Sequence, residues 1–94
     1  DNATALRYVN MLRERAGIAD LTAVSIDAIV NERHLEFLGE GKRYWDLVRT
    51  GKAATTLVPD EEGNRTASWT ESKKYLPIPQ GELSADPNLQ QNDY

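Results

Sequence analysis

Glu36 and Glu40, four residues apart, are the first groups in this sequence whose type and spacing could do chemistry. On one continuous helix they stand a single turn apart, near the roughly 5–5.5 Å that separates the two carboxyls of a retaining glycosidase. Their neighbours argue for another use. Arg33 and Arg43 flank them, and carboxylates on one helix face commonly pair with nearby arginines. There is no nucleophile elbow, and His34 lacks the His-Glu-x-x-His pattern. His34-Leu35-Glu36 is too little for a metal site. The chain has no cysteine, which removes disulfide and thiol chemistry. No catalytic residue, metal or cofactor is expected, and the chain is not expected to be an enzyme. Glycan turnover that is lost in Glu36→Gln would reverse that.

The charges are more informative as architecture. At about 100° per residue, Arg33 and Glu40 fall near the middle of the arc set by Ile26, Ile29, Phe37 and Tyr44. Glu36 and Arg43 lie on its edge, and Arg13 repeats the arrangement on an earlier helix between Val9 and Ala16. An unpaired buried charge costs several kcal/mol, so each inward charge needs a partner and hydrogen bonds. One-turn candidates are Arg33–Glu36, Glu40–Arg43, Lys42–Asp46, Arg43–Asp46 and Asp46–Arg49. Exposed pairs of that kind are worth only about 0.2–0.5 kcal/mol each, too little to justify inward placement. The favoured reading is therefore a structural network of Arg13, Arg33, Glu36, Glu40, Arg43 and Asp46. In it Glu40, flanked by Gly39 and Gly41 that let another backbone come close, and Arg33 tie this helix to another segment, the extended tail or the first helix. The alternative is a solvated face on a helix rotated or broken at those glycines.

These side chains need elements to carry them. Residues 3–16 read as an amphipathic helix capped by Asn2 or Thr4 and stopped at Gly17, with Ile18 placed for a Schellman contact. A second helix starts after Thr22 or Ser25 and runs to about Arg49, with Leu38, Trp45 and His34 forming a second, shorter apolar arc. The short connection favours an antiparallel helical hairpin. Thr50-Gly51 ends it, and a short helical turn over Lys52–Leu57 follows. The hairpin and short helix thus occupy 1–57, a polar loop 58–74 and an extended tail 75–94. In the tail, the prolines of "YLPIP" exclude helix, and "GELSA" can form one helical turn. The fold class is mainly α.

The totals set further bounds. Apolar residues make up 39% of the 94, below the ~45–50% usual for globular domains. The net charge of −4 resides entirely in residues 60–94. No basic stripe exists, so no nucleic acid is expected as partner. No run of about 18 apolar residues is long enough to span a membrane. The chain starts at Asp1 and is read as an internal or C-terminal fragment. With inward charges and a proline-bound tail that call for neighbours, its independent stability is expected to be marginal.

Three blocks in register, "ALRYVNMLRERAGI", "ERHLEFLGEGKRYWDLVRTGK" and "YLPIPQGELSADPNLQQNDY", resemble the C-terminal region of SusD/RagB-type proteins. The resemblance falls on Asn10, Arg13, Arg15, Ala16 and Gly17, and on Glu32, Arg33, Glu36, Glu40, Gly41, Arg43, Asp46, Leu47 and Arg49. In the tail it falls on Pro77, Ile78, Pro79, Gln91, Asn92 and Tyr94. Phe37 stands where the family usually has Leu, and the ending lacks the family's Pro-Gly. The resemblance implies a lipid-anchored outer-membrane protein on the surface of a Gram-negative bacterium. Such a protein binds oligo- or polysaccharide and caps a TonB-dependent transporter. It also implies a fragment of a larger, tetratricopeptide-like α-superhelical protein, anchored through an N-terminal lipid absent from this chain. This segment would be mostly scaffold. Trp69, in the polar loop, is the one candidate ligand contact, because sugar C–H faces stack on aromatic rings; it can equally dock back onto the helices. The rival readings are a helical protein-interaction module without sugar binding and a glycoside hydrolase fragment.

Overall fold

A computed structural model describes residues 1–94. It contains helices α1 (Asn2–Arg15), α2 (Ile26–Glu36), α3 (Arg43–Arg49), α4 (Ala53–Thr56) and α5 (Gln80–Ala85), with a 3₁₀ turn at Glu71–Lys74 and no strand. Two compact units divide the chain, Asp1–Thr50 and Gly51–Tyr94. Helix α4 therefore belongs to the second.

In the first unit, Asp1 caps α1 where Asn2 or Thr4 was expected: its Oδ1 accepts the Thr4 N–H at 2.7 Å. A carboxylate there also suits the positive end of the helix dipole. At the other end Gly17 takes φ +70°. The Gly17 N–H donates to the Glu14 carbonyl and the Ile18 N–H to the Arg13 carbonyl, both at 3.0 Å, which is the Schellman pairing. Ser25 caps α2, its Oγ accepting from the Ala28 N–H at 3.1 Å.

The second helix does not reach Arg49 without interruption. It ends at Glu36, turns through residues 37–42, and restarts as α3. Gly39 and Gly41 have φ of +81° and +71°, a region that costs an L-residue about 1–2 kcal/mol. A Cβ at either glycine would meet nothing within 4 Å. No second backbone presses on Glu40; the glycines are there to reverse the chain. Gly41→Ala is accordingly expected to lower stability by about 1 kcal/mol, and Gly41→Asn by less, because Asn tolerates this conformation. Urea midpoints of the three proteins check this.

The turn lets α3 pack on α2, the principal helix–helix contact of this unit. Val9, Val30 and Leu47, one from each helix, are buried. Trp45, read as core, is half exposed, and Leu38 is exposed; the break rotates their short arc away from the contact.

The second unit is mostly irregular. Its loop is tied by backbone hydrogen bonds from Trp69 N–H to the Leu57 carbonyl (2.9 Å) and from Asp60 N–H to the Arg65 carbonyl (3.1 Å). Tyr75 is extended, with ψ 136°, and Leu76 and Ile78 after it each precede a proline, which disfavours helix there.

Candidate functional site

In the first unit the charges assemble around Asp46. Its carboxylate is buried and sits between two arginines. Arg33 Nε donates to Oδ2 at 2.8 Å, and Arg49 donates to Oδ1 from Nε at 2.9 Å and from Nη2 at 2.8 Å. The Arg33 hydrogen bond is the largest influence on the Asp46 carboxyl and holds it below its ordinary pKa. Burial opposes this, and Arg49 adds to the lowering. Of the one-turn pairs that the sequence offers, Asp46–Arg49 forms. Arg33 instead reaches thirteen residues ahead, which the turn at Gly39–Gly41 makes possible. Arg43 donates to the Val30 carbonyl on α2 at 3.2 Å.

Arg13 and Glu36 are placed elsewhere. Arg13 bonds to Glu32 on α2 and, through Nε, to the Ala19 carbonyl at 2.7 Å. Glu36 pairs with Arg15. Glu40 lies in the turn, 54% exposed, with its nearest cation the Lys42 ammonium at 4.0 Å. The carboxylates expected one turn apart on a shared helix are thus divided between the end of α2 and the turn after it. This arrangement braces three helices. No three His, Cys, Asp or Glu side chains gather as a metal group would require.

Several participants were named only as positions of the family resemblance or as a departure from it, with no partner assigned. Glu32 and Arg15 lie off the arc that was followed, yet both form interhelical pairs. Phe37 lies under two cations, with Arg33 Cζ 4.9 Å and Lys42 Nζ 5.4 Å from its ring centroid. A leucine there offers no such face. Side-chain amides hold non-helical segments. Asn10 exchanges two hydrogen bonds with the Leu21 backbone at 2.9 and 3.0 Å. Gln91 does the same with Ile78, also at 2.9 and 3.0 Å. Asn92 Nδ2 donates to the Leu76 carbonyl at 3.2 Å. An asparagine inside a helix was the available signal for the first of these, since its intrinsic helix propensity is poor.

In the second unit Trp69 is half-buried. It lines an open hollow of about 210 Å³ with Leu57, Arg65, Ala67 and Lys73. Arg65 is held by its Nη1 bond to the Val58 carbonyl at 2.8 Å. An indole beside a planar guanidinium and an ammonium can stack on an apolar ring face and hydrogen-bond to hydroxyls. A second hollow, of about 490 Å³, is bounded by Glu71, Ser72, Lys74, Tyr75, Asn92 and Asp93.

The model of the SusD family matches residues 1–94, the full length of the chain. The chain belongs to the SusD family. Its all-helical fold is of the tetratricopeptide-like kind that SusD-like proteins have. Among SusD-like relatives, SusD-like protein P38 of Formosa agariphila is 32% identical over 94% of this chain and 19% of its own length. Surface glycan-binding protein A from Bacteroides thetaiotaomicron, in complex with laminarihexaose, is 58% identical with a TM-score of 0.84. The match covers 96% of this chain and 20% of that one. Surface glycan-binding protein A from Bacteroides uniformis is 54% identical with a TM-score of 0.88, over 95% of this chain and 21% of that one. The chain thus spans about a fifth of the length of the SusD-like proteins it matches.

Proposed function

We propose that residues 1–94 are the C-terminal structural segment of a cell-surface glycan-binding protein. That protein sits on the outer membrane of a Gram-negative bacterium, held by an upstream lipid anchor, and works with a TonB-dependent transporter. The observation that carries the reading is the 58% identity with a surface glycan-binding protein whose solved structure holds laminarihexaose. Local chemistry supports it. Asp46, Glu32 and Glu36 are engaged by arginines, an arrangement that suits bracing rather than proton transfer, so the segment has no catalytic part. Mostly scaffold, it fixes the geometry of the sugar-holding regions; Trp69 is its one nominated contact with the ligand.

Calorimetric titration of the family-length polypeptide tests this, with laminarihexaose and a panel of α- and β-linked oligosaccharides as ligands. Binding of at least one is expected, and silence across the panel sinks the reading. Trp69→Ala is expected to weaken that binding about five- to tenfold, the equivalent of about 1–1.4 kcal/mol of lost stacking. Unchanged affinity assigns Trp69 to the scaffold. Co-purification with a TonB-dependent transporter checks the partner.

A further inference from the structure

The larger hollow of the second unit, about 490 Å³, is walled by Glu71, Ser72 and Lys74 of the 3₁₀ turn, by Tyr75, and by Asn92 and Asp93 of the tail. Its size lies within the ~300–1,000 Å³ of small-molecule clefts; the 210 Å³ beside Trp69 does not reach that range. The two walls are distant in sequence and fixed in space. Gln91 exchanges hydrogen bonds with the Ile78 backbone at 2.9 and 3.0 Å, and Asn92 Nδ2 donates to the Leu76 carbonyl at 3.2 Å. On the other side the Ser72 hydroxyl pairs with that of Thr70 at 2.8 Å. The tail is thus pinned beside Tyr75, and the walls need little ordering when a ligand binds.

The lining selects the class of occupant. Tyr75 is 66% exposed, and an exposed aromatic ring lining a hollow offers a face to the C–H side of a sugar. Around it stand the polar groups that neighbouring hydroxyls need. The Glu71 and Asp93 carboxylates accept, the Lys74 ammonium donates, and the Ser72 hydroxyl does either. Asn92 Oδ1, on the same wall, is buried without a hydrogen-bond partner, an uncommon state that a donor from a ligand would relieve. Other classes fit less well. Two carboxylates against one ammonium leave the hollow negative, which disfavours sulfate, phosphate and uronate. No three His, Cys, Asp or Glu side chains gather there, and the Lys74 ammonium in the same wall repels a metal ion.

We propose that this hollow is a binding subsite for a neutral oligosaccharide, with Tyr75 stacking on one ring and Glu71 and Asp93 accepting from its hydroxyls. The inference rests on the reading of the whole protein as a glycan binder, and it adds to Trp69 a second, separate contact within the same unit. Residue order conceals the subsite, because Tyr75 and Asp93 come together only through the hydrogen bonds of Gln91 and Asn92.

Hydroxyl-radical footprinting of the family-length protein tests it, with mass spectrometry reading oxidation at Tyr75. The probe is the oligosaccharide of the calorimetric panel, laminarihexaose included, that binds; a tyrosine-containing reference peptide in the same sample corrects for radicals consumed by the sugar. At saturation the Tyr75 rate is expected to fall to about half or less, because a ring face is covered. Asp93 is exposed, so Asp93→Ala leaves the fold intact. In that variant the sugar concentration for half-protection of Tyr75 is expected to rise about tenfold, the equivalent of one lost hydrogen bond to a charged group. A Tyr75 rate that does not change while calorimetry shows binding overturns the subsite and leaves the glycan-binding reading standing. So does protection that Asp93→Ala does not shift, because the sugar then acts on Tyr75 from elsewhere. A Tyr75 that radicals reach only after unfolding in urea overturns it too, because another segment then fills the hollow. If no member of the panel binds, the functional reading falls and takes the subsite with it.

Discussion

Asp46→Asn is expected to destabilise the protein by about 2–3 kcal/mol, because hydrogen bonds to charged groups are worth ~1.5–3 kcal/mol and the amide leaves N–H groups facing N–H groups. For a domain of this size that corresponds to a fall of about 10–20 °C in the thermal midpoint. The two oxygens of the buried carboxylate are shared between Arg33 and Arg49. Asparagine keeps the volume and one acceptor, but its NH₂ must face one of the two guanidiniums. The same group sets an acid dependence. Its folded pKa lies below the ordinary value of 3.8, so the stabilisation is fully present above the unfolded-state value. It is lost as the pH falls through the lowered folded-state value. As the pH falls below about 4, stability of the parent protein falls more steeply than that of Asp46→Asn. Urea titrations at several pH values measure both slopes, and parallel slopes would remove Asp46 from the account.

The second large effect is expected one residue further on. Leu47 is 1% exposed, and Leu47→Ala should cost about 3 kcal/mol, within the ~2–5 kcal/mol range for emptying a well-packed leucine site. Leu47→Met, which keeps the volume, should cost less than about 1.5 kcal/mol. A Met variant as unstable as the Ala variant would mean that shape, not burial, governs the position. Asp46 and Leu47 secure the same short helix α3 to α2, so the double variant is expected to cost less than the two singles added together.

Much of this was legible from residue order. The capping serine at position 25, the glycine stop at 17, the short helix after Gly51 and the extended Tyr75–Pro79 segment all follow from local backbone chemistry. So does the all-helical class. The turn at Gly39–Gly41 was not legible, for a definite reason. Phe37 and Tyr44 are seven residues apart, so the apolar period keeps its phase across the break and reads as one helix. Once that turn is missed, Arg33–Asp46 cannot be found, because a list of one-turn pairs contains no pair thirteen residues apart. Arg13–Glu32 and Arg15–Glu36 depend in the same way on how α1 and α2 meet. Glu40 could be placed inward only on a continuous helix; on a turn it faces solvent. Trp69 was legible as an aromatic in a polar loop, but its neighbours Arg65 and Lys73 come together only when the loop closes on Leu57.

The Gln91–Ile78 exchange has a further consequence. Leu76 and Tyr75 are exposed apolar residues, and Tyr75 is extended; exposed apolar strand edges are where domain swapping and aggregation start. Here the raw edge is disarmed. Pro77 and Pro79 have no N–H to offer, and the glutamine occupies both polar groups of the isoleucine between them. A chain that has yet to meet its neighbours can therefore carry this sticky stretch without recruiting a stranger's strand.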